Sequence, residues 1–248
     1  MQVLLETFQN HALAFLRGAP SMSLSGTQIA SLVLCWLAYA ALHSLLASLR
    51  LKRVVAAHWP RLAPAYRLAF NLLAVVLLLP PLWLTFAWRG PLLWSWQGGW
   101  AWLANGLAVA AAAGFLWSTR YYDMGVFYGS TQWRTREHAA EDPGGLTLSP
   151  LHRHVRHPWY SLGLLILWTR DMDEARLTSA LCITLYLWLG SLLEERKLLA
   201  FHGKAYARYR ERVPGLVPWP GRSLSADEAH ALCTRRQARD ATPMHDDA

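Results

Sequence analysis

Residues 156–196 read RHPWYSLGLLILWTRDMDEARLTSALCITLYLWLGSLLEER. Between an Arg-His-Pro foot and a Glu-Glu-Arg foot lie two apolar runs, Tyr160–Thr169 and Leu177–Leu193, separated by the polar segment RDMDEAR. Apolar runs bounded by charge suit helices in an apolar medium, and a polar segment between them is where such a chain reverses. The stretch therefore predicts a helical hairpin. At about 1.5 Å per residue, the first arm covers only about half of a ~30 Å hydrocarbon core. Either its start sits deep, or the helix extends back through Pro158, a residue tolerated at the first helical position.

Three more charge-free runs lie upstream: Gln28–Leu49, Leu68–Trp88 and Trp100–Thr119. Each meets the requirement of about 20 residues for a membrane-spanning helix. All are apolar on every side, which a large soluble protein achieves by burying them, but a chain of 248 residues has no room to do so. The expected fold is all-α: a polytopic integral membrane protein of about five transmembrane helices, the last two forming the hairpin. Only 16% of residues are charged, against about a quarter in soluble domains.

The basic residues set the orientation. Arg50, Lys52, Arg53, Arg61 and Arg67 follow the first run, whereas Arg89 stands nearly alone after the second. The positive-inside rule puts the first loop in the cytoplasm. Alternation then places residues 120–157 inside, the three acids of RDMDEAR outside, and the basic segment after Glu195 inside. The net charge of +8 follows this membrane face, so anionic lipid headgroups are the expected partner and nucleic acid is not.

The domain expected to span the membrane is residues 28–221, with its chemistry in 120–221. Residues 1–27 form an N-terminal extension with no basic segment ahead of a clean apolar core, so no cleavable signal is expected. An interfacial amphipathic helix and sequence upstream of a misplaced start both remain open for it. Residues 222–248 turn polar without apolar periodicity and are expected to form a disordered tail. Cys35, Cys182 and Cys233 are too scattered for a disulfide framework.

The candidate chemistry gathers at the two feet of the hairpin. Glu194 and Glu195 stand at the edge of hydrocarbon, where a carboxylate is costly unless solvated or paired. Adjacent helical positions point about 100° apart, so at least one should face inward, across the hairpin from His157. Marking the water boundary beside Arg196 and Lys197 is the alternative role. His152, His154 and His157 fit no common zinc spacing, and no metal is expected. Burial and neighbouring cations both favour the neutral form of a histidine here.

The ordered set Arg156, His157, Pro158 and Tyr160, then Glu194 and Glu195, then Phe201, Gly203, Tyr206, Tyr209, Val213 and Pro214 resembles a known pattern. It is R-H-P-x-Y, E-E, F-x-G-x-x-Y-x-x-Y and V-P, that of the isoprenylcysteine carboxyl methyltransferase and phospholipid methyltransferase superfamily. Upstream, HSLLAS with Lys52, YRLAFN, and YDMGVF with Gln132 are similar to bacterial NnrU-type proteins and their methanethiol S-methyltransferase relatives.

The resemblance implies a membrane enzyme that uses S-adenosyl-L-methionine without a Rossmann domain, and no G-x-G-x-x-G turn occurs in the chain. It implies cofactor contacts from Gly144, Gly145, Leu146, Thr147, His152, His157, Pro158, Trp159, Tyr160, Glu194 and Glu195. Where His152 stands, the family usually has Tyr. Where prenylcysteine enzymes place an arginine for the substrate carboxylate, this chain has Gly190. The expected substrate is therefore a small apolar, lipid-soluble molecule, such as a thiol like methanethiol. Phospholipid or isoprenylcysteine carboxyl methylation is the alternative. A thiol with a reference pKa near 8.5 needs help at neutral pH, and Arg156, His152 or His154 are the candidates to lower that value or take the proton. Two further readings stand beside this one. One is a nicotinamide-dependent membrane reductase whose phosphates would fall to Arg134, Arg136 and Arg153, and the other is a non-catalytic NnrU-like membrane protein.

Overall fold

The computed structural model describes residues 22–136 and 148–232. In chain order these form helices α1 (Gly26–Ala47), α2 (Leu49–His58), α3 (Tyr66–Trp88), α4 (Gly98–Ser118), α5 (Met124–Tyr128), α6 (Ser130–Thr135), α7 (Pro158–Trp168) and α8 (Glu174–Arg212). A short helical segment follows at 226–232. Two short strands, β1 (Leu92–Trp94) and β2 (Met172–Asp173), pair antiparallel.

Four of these helices, α1, α3, α4 and α8, are long and apolar enough to cross a membrane, and α7 is the shorter apolar arm of the hairpin. Only 11% of the most apolar window of α1 is buried by the rest of the protein. Leu72, Val75, Leu79, Val109 and Leu116 are likewise exposed, so these faces find an apolar surrounding only in lipid. The fold is that of an all-α polytopic membrane protein.

Local chemistry sets the helix ends. α1 starts at Gly26 because Ser25 caps it: its hydroxyl accepts from the Gln28 amide, and the Gln28 side chain accepts from the Ser25 amide in return. α7 has Pro158 at its first position and spans 11 residues, about 16 Å of rise. The polar turn of the hairpin is tied down as β2, whose Asp173 and Met172 pair with Leu92 and Trp94.

α8 lies at the centre, packed against α1, α3 and α7, while α4 covers the outer side of α7. It runs past the hydrocarbon and breaks at Gly203, where φ is +50°. Beyond the break, Tyr206, Tyr209 and Val213 are buried against Leu224 and Ala229. Residues 222–232 begin the segment expected to form the tail. Leu224 and Ala229, with Leu232 packed beside them, give the segment an apolar side that short-range periodicity does not reveal. Residues 1–21, 137–147 and 233–248 lie outside the described residues.

The bundle has two distinct ends. At one, the Tyr66 hydroxyl donates to the Leu46 carbonyl at 2.6 Å, and Arg67 and Asn71 both donate to the Phe127 carbonyl. This end also holds the feet of the hairpin. At the other, the Leu24 amide donates to Glu174 and the Ala175 amide to the Arg89 carbonyl.

Gly129, with φ of +92°, joins α5 to α6 and lies against the start of α3. A Cβ there would sit 2.7 Å from the Leu68 amide nitrogen. Replacing Gly129 by Ala is expected to destabilise the protein by about 1–3 kcal/mol through backbone strain. The check is a lower thermal midpoint in detergent, set beside Gly26→Ala, whose added carbon meets nothing within 4 Å.

Candidate functional site: a bridged glutamate pair at the feet of the hairpin

The side chains of the two feet meet. Arg156 donates from Nε and Nη2 to one oxygen of Glu195, at 2.9 and 2.7 Å. Its Nη1 donates to the carbonyl of Arg210 at 3.0 Å and to that of Val213. The Arg156 and His157 amides donate to the carbonyls of Pro214 and Gly215, and the Ser161 hydroxyl to that of Leu216. Four consecutive carbonyls, 213–216, thus clasp the Arg-His-Pro foot. The V-P element of the sequence pattern is the start of this strap, and nothing in its composition points to carbonyl acceptors.

The two glutamates have different surroundings. The Glu195 side chain is 6% exposed, with its Oε1 shared by Arg156 and His157, whereas that of Glu194 is 48% exposed. His157 lies between them, with Nε2 3.2 Å from Glu195 Oε1 and Nδ1 3.4 Å from Glu194 Oε2. The Tyr160 hydroxyl donates to that same Glu194 oxygen at 3.2 Å, and its ring stacks on His157 with centroids 5.4 Å apart. Among the described residues, Glu194 Oε1 accepts no hydrogen bond. The arrangement is a rigid base, Arg156–Glu195, carrying a solvent-facing carboxylate with an aromatic ring beside it.

Trp159 anchors the next layer. Its indole N–H donates to the Ser118 hydroxyl at 2.7 Å, and its ring is surrounded by Phe115, Tyr122 and Phe127. The 120–128 segment is thereby pinned beside the feet. Pro158 is buried at the start of α7.

The three residues expected to assist a nucleophile differ in their surroundings. Arg156 donates to Glu195 and to backbone carbonyls and so ties the foot of α7 to the segment after α8. His154 is exposed and joins none of these contacts. His152 accepts at Nδ1 from the Ser149 amide, 3.1 Å away, so the neutral ring carries its proton on Nε2. Burial first, and then the neighbouring His157, push the His152 pKa down to about 4. His152 supports the fold through its carbonyl, which accepts from the Tyr209 hydroxyl at 2.7 Å. Gly144, Gly145, Leu146 and Thr147 lie outside the described residues.

Arg134 and Arg136 are exposed, with Arg136 lying over the Trp133 ring, and Arg153 donates to the Leu224 carbonyl. They form no shared anion cradle. Lys52, which the sequence places in the first basic loop and in the upstream resemblance, lies near the feet. Burial first, and then the charges of Arg67 and Lys197, push the Lys52 amine below its usual range. A cavity of about 420 Å³ lies at the opposite end of the bundle, lined in part by Trp36, Phe86, Trp96 and Arg170. None of the residues expected to form the site borders it.

A protein of Bradyrhizobium diazoefficiens named methanethiol S-methyltransferase 2 is 33% identical over 187 residues, which is 73% of this chain and 69% of that protein. The chain belongs to the methanethiol S-methyltransferase family. A Pseudomonas methanethiol S-methyltransferase is 32% identical over 191 residues, again 73% of this chain and 69% of the relative. The one from Crocosphaera subtropica is 40% identical, but over 72 residues, 28% of its own length. The two long alignments reach well beyond the hairpin and its feet, so the family likeness includes upstream spans. No family model matches the chain, and no solved structure matches it.

Two outcomes follow for the members of this cluster. Glu195→Gln leaves the Arg156 guanidinium buried without its counter-charge and is expected to cost about 3–5 kcal/mol, read as denaturation in mixed micelles. For His152, the folded value lies below the 6.5 of the free ring, so the unfolded chain binds the proton more readily. Stability should therefore fall as pH drops from about 6.5 towards 4, and His152→Gln should flatten that slope in thermal midpoints measured against pH.

Proposed function

We propose that this protein is an integral membrane methyltransferase that moves the methyl group of S-adenosyl-L-methionine to the sulfur of methanethiol. The observation that carries the reading is the half-exposed Glu194 carboxylate, held against His157 and Tyr160 with one oxygen unused, in a chain of the methanethiol S-methyltransferase family.

The donor set fits the cofactor. S-Adenosyl-L-methionine carries a cationic sulfonium, a cationic amine and an aromatic base. A carboxylate and a stacked aromatic pair match that combination. Bound there, it would supply an electrophilic methyl group that needs no further activation. Glu194 would hold the positive charge and Tyr160 would orient both the carboxylate and the aromatic part, while the clasped foot keeps His157 in place. Alignment of reacting atoms in a dry site supplies about 7–11 kcal/mol in favourable cases, so positioning is the main task left to the protein.

A neutral substrate fits the membrane side. Gly190, one turn before Glu194, offers no cation for a carboxylate substrate. Methanethiol dissolves in hydrocarbon and would reach the site between helices, without a polar entrance. Under the positive-inside rule the site faces the cytoplasm, and the bacterial inner membrane is the compartment we assign. In this reading residues 28–221 are the methyltransferase domain.

With methyl-labelled S-adenosyl-L-methionine and methanethiol, purified protein should release labelled dimethyl sulfide, detected in the headspace. Glu194→Gln should weaken cofactor binding at least about tenfold by calorimetry, a loss of about 1.4 kcal/mol. Its thermal midpoint should stay close to that of the parent, because the carboxylate is half-exposed. A protein that binds the cofactor but yields no labelled sulfide would refute the substrate; one that does not bind it would refute the activity.

A further inference from the structure

Within the span of α8, away from the glutamates, a second polar contact crosses the bundle. His43 of α1 has Nδ1 2.7 Å from the Tyr186 hydroxyl. The Ser44 hydroxyl lies 3.4 Å from the same oxygen. Tyr39 and Phe70 pack on the His43 ring, with centroids 5.6 and 5.1 Å away, and Tyr39 meets Tyr186 edge-on. An imidazole hydrogen-bonded to a phenol within a membrane span is costly to place there, and intramembrane titratable groups of this kind mark functional sites.

Helical spacing ties this pair to the site. Tyr186, Gly190 and Glu194 follow one another at intervals of four, so they share one side of α8, about 6 Å apart per step. Tyr186 reaches α1 and Glu194 reaches α7, so Gly190 falls between the two contacts. A Cβ built on Gly190 meets nothing within 4 Å. The backbone of α8 between the phenol and the carboxylate is thus uncovered at Gly190. Tyr160, which holds Glu194, lies within electrostatic reach of Tyr186.

We propose that Tyr186 and His43 form the proton relay that deprotonates the thiol substrate in the space over Gly190. The inference rests on the methyl transfer proposed above. The thiol S–H bond breaks and its proton passes to Tyr186 Oη, while the Tyr186 proton moves along the 2.7 Å contact to His43 Nδ1. The electron pair left on the substrate sulfur forms the new bond to the methyl carbon. The pair of the broken carbon–sulfur bond stays on the sulfur of the departing S-adenosylhomocysteine. His43 ends as an imidazolium and gives its proton to solvent between turnovers. Tyr186 is the catalytic residue in this scheme, and His43 acts through it.

A simple alkyl thiol is more basic than the cysteine side chain, whose reference pKa is near 8.5, so methanethiol is almost wholly protonated at neutral pH, which is what the relay overcomes. Tyr186→Phe and His43→Gln should each lower kcat/KM for methanethiol at pH 7 by about 100-fold, the lower end of general-base contributions. The deficit should shrink steadily between about pH 7 and 10, as free thiolate forms without help. The double variant should be no slower than either single one, because both interrupt one path. An independent readout is the ultraviolet thiolate band of methanethiol added to protein carrying S-adenosylhomocysteine. Its apparent titration should move to higher pH in Tyr186→Phe.

A deficit equal at every pH, or an unmoved thiolate titration, would assign the pair to structure alone and overturn the relay. Parent protein that makes no dimethyl sulfide at any pH would instead overturn the methyl transfer on which the relay rests. Thermal midpoints of both variants separate lost chemistry from lost folding, and Ser44→Ala, which keeps the 2.7 Å contact, should retain most of the rate at pH 7.

Discussion

The pairing of Arg156 with Glu195 is the contact on which this end of the protein depends. Two charges at the rim of a hydrocarbon layer are tolerated only when they neutralise each other and their remaining hydrogen-bonding capacity is met. Here the remaining donors of Arg156 go to the carbonyls of Arg210 and Val213. One buried ion pair therefore fixes three things together: the foot of α7, the central helix α8, and the strap that follows it. The break at Gly203 is part of the same construction, because it lets the chain after α8 fold back and deliver those carbonyls.

With Glu195 engaged by Arg156 and His157, Glu194 is left to meet solvent or a ligand. Adjacent positions on a helix point in different directions, and the structure uses that difference to separate support from function. His157 touches both carboxylates, so the supporting pair and the exposed carboxylate are mechanically coupled. The short arm α7 fits this plan. Its irregular start lies below the level a full span would reach, and such backbone is tolerated at membrane depth where it is surrounded by protein. The carbonyls of 214–216 provide that surrounding.

Membership of the methanethiol S-methyltransferase family accounts for features that a larger substrate would make puzzling. No cationic side chain stands at position 190, where the chain has glycine and an added Cβ would meet nothing within 4 Å. Under the proposed activity, a nucleophile that dissolves in lipid would need no polar entrance, and the polar side chains would be left to the proposed cofactor, the scaffold and the proposed proton transfer. The cavity at the opposite end, near Trp36 and Arg170, lies apart from this arrangement.

Much of the fold was legible in the sequence. Uninterrupted apolar runs and the distribution of Arg and Lys determine the number of spans and the hairpin, because transfer of charge into hydrocarbon is forbidden whatever the tertiary context. The nearness of His157 to the glutamates was legible too, since a hairpin must bring its feet together. The surroundings of Arg156, His152 and His154 were not. Residue type shows that a side chain can carry charge or a proton, but only packing decides whether it is already bound to Glu195, tied to Ser149 or turned to solvent. The strap at 213–216 acts through backbone carbonyls, which every residue possesses, so no sequence signal marks it. The contact between His43 and Tyr186 joins positions 143 residues apart and exists only because α1 packs on α8. Sequence fixes what must avoid water, a property each segment carries by itself; the pairing of polar groups depends on which segments become neighbours, and that was settled by the bundle.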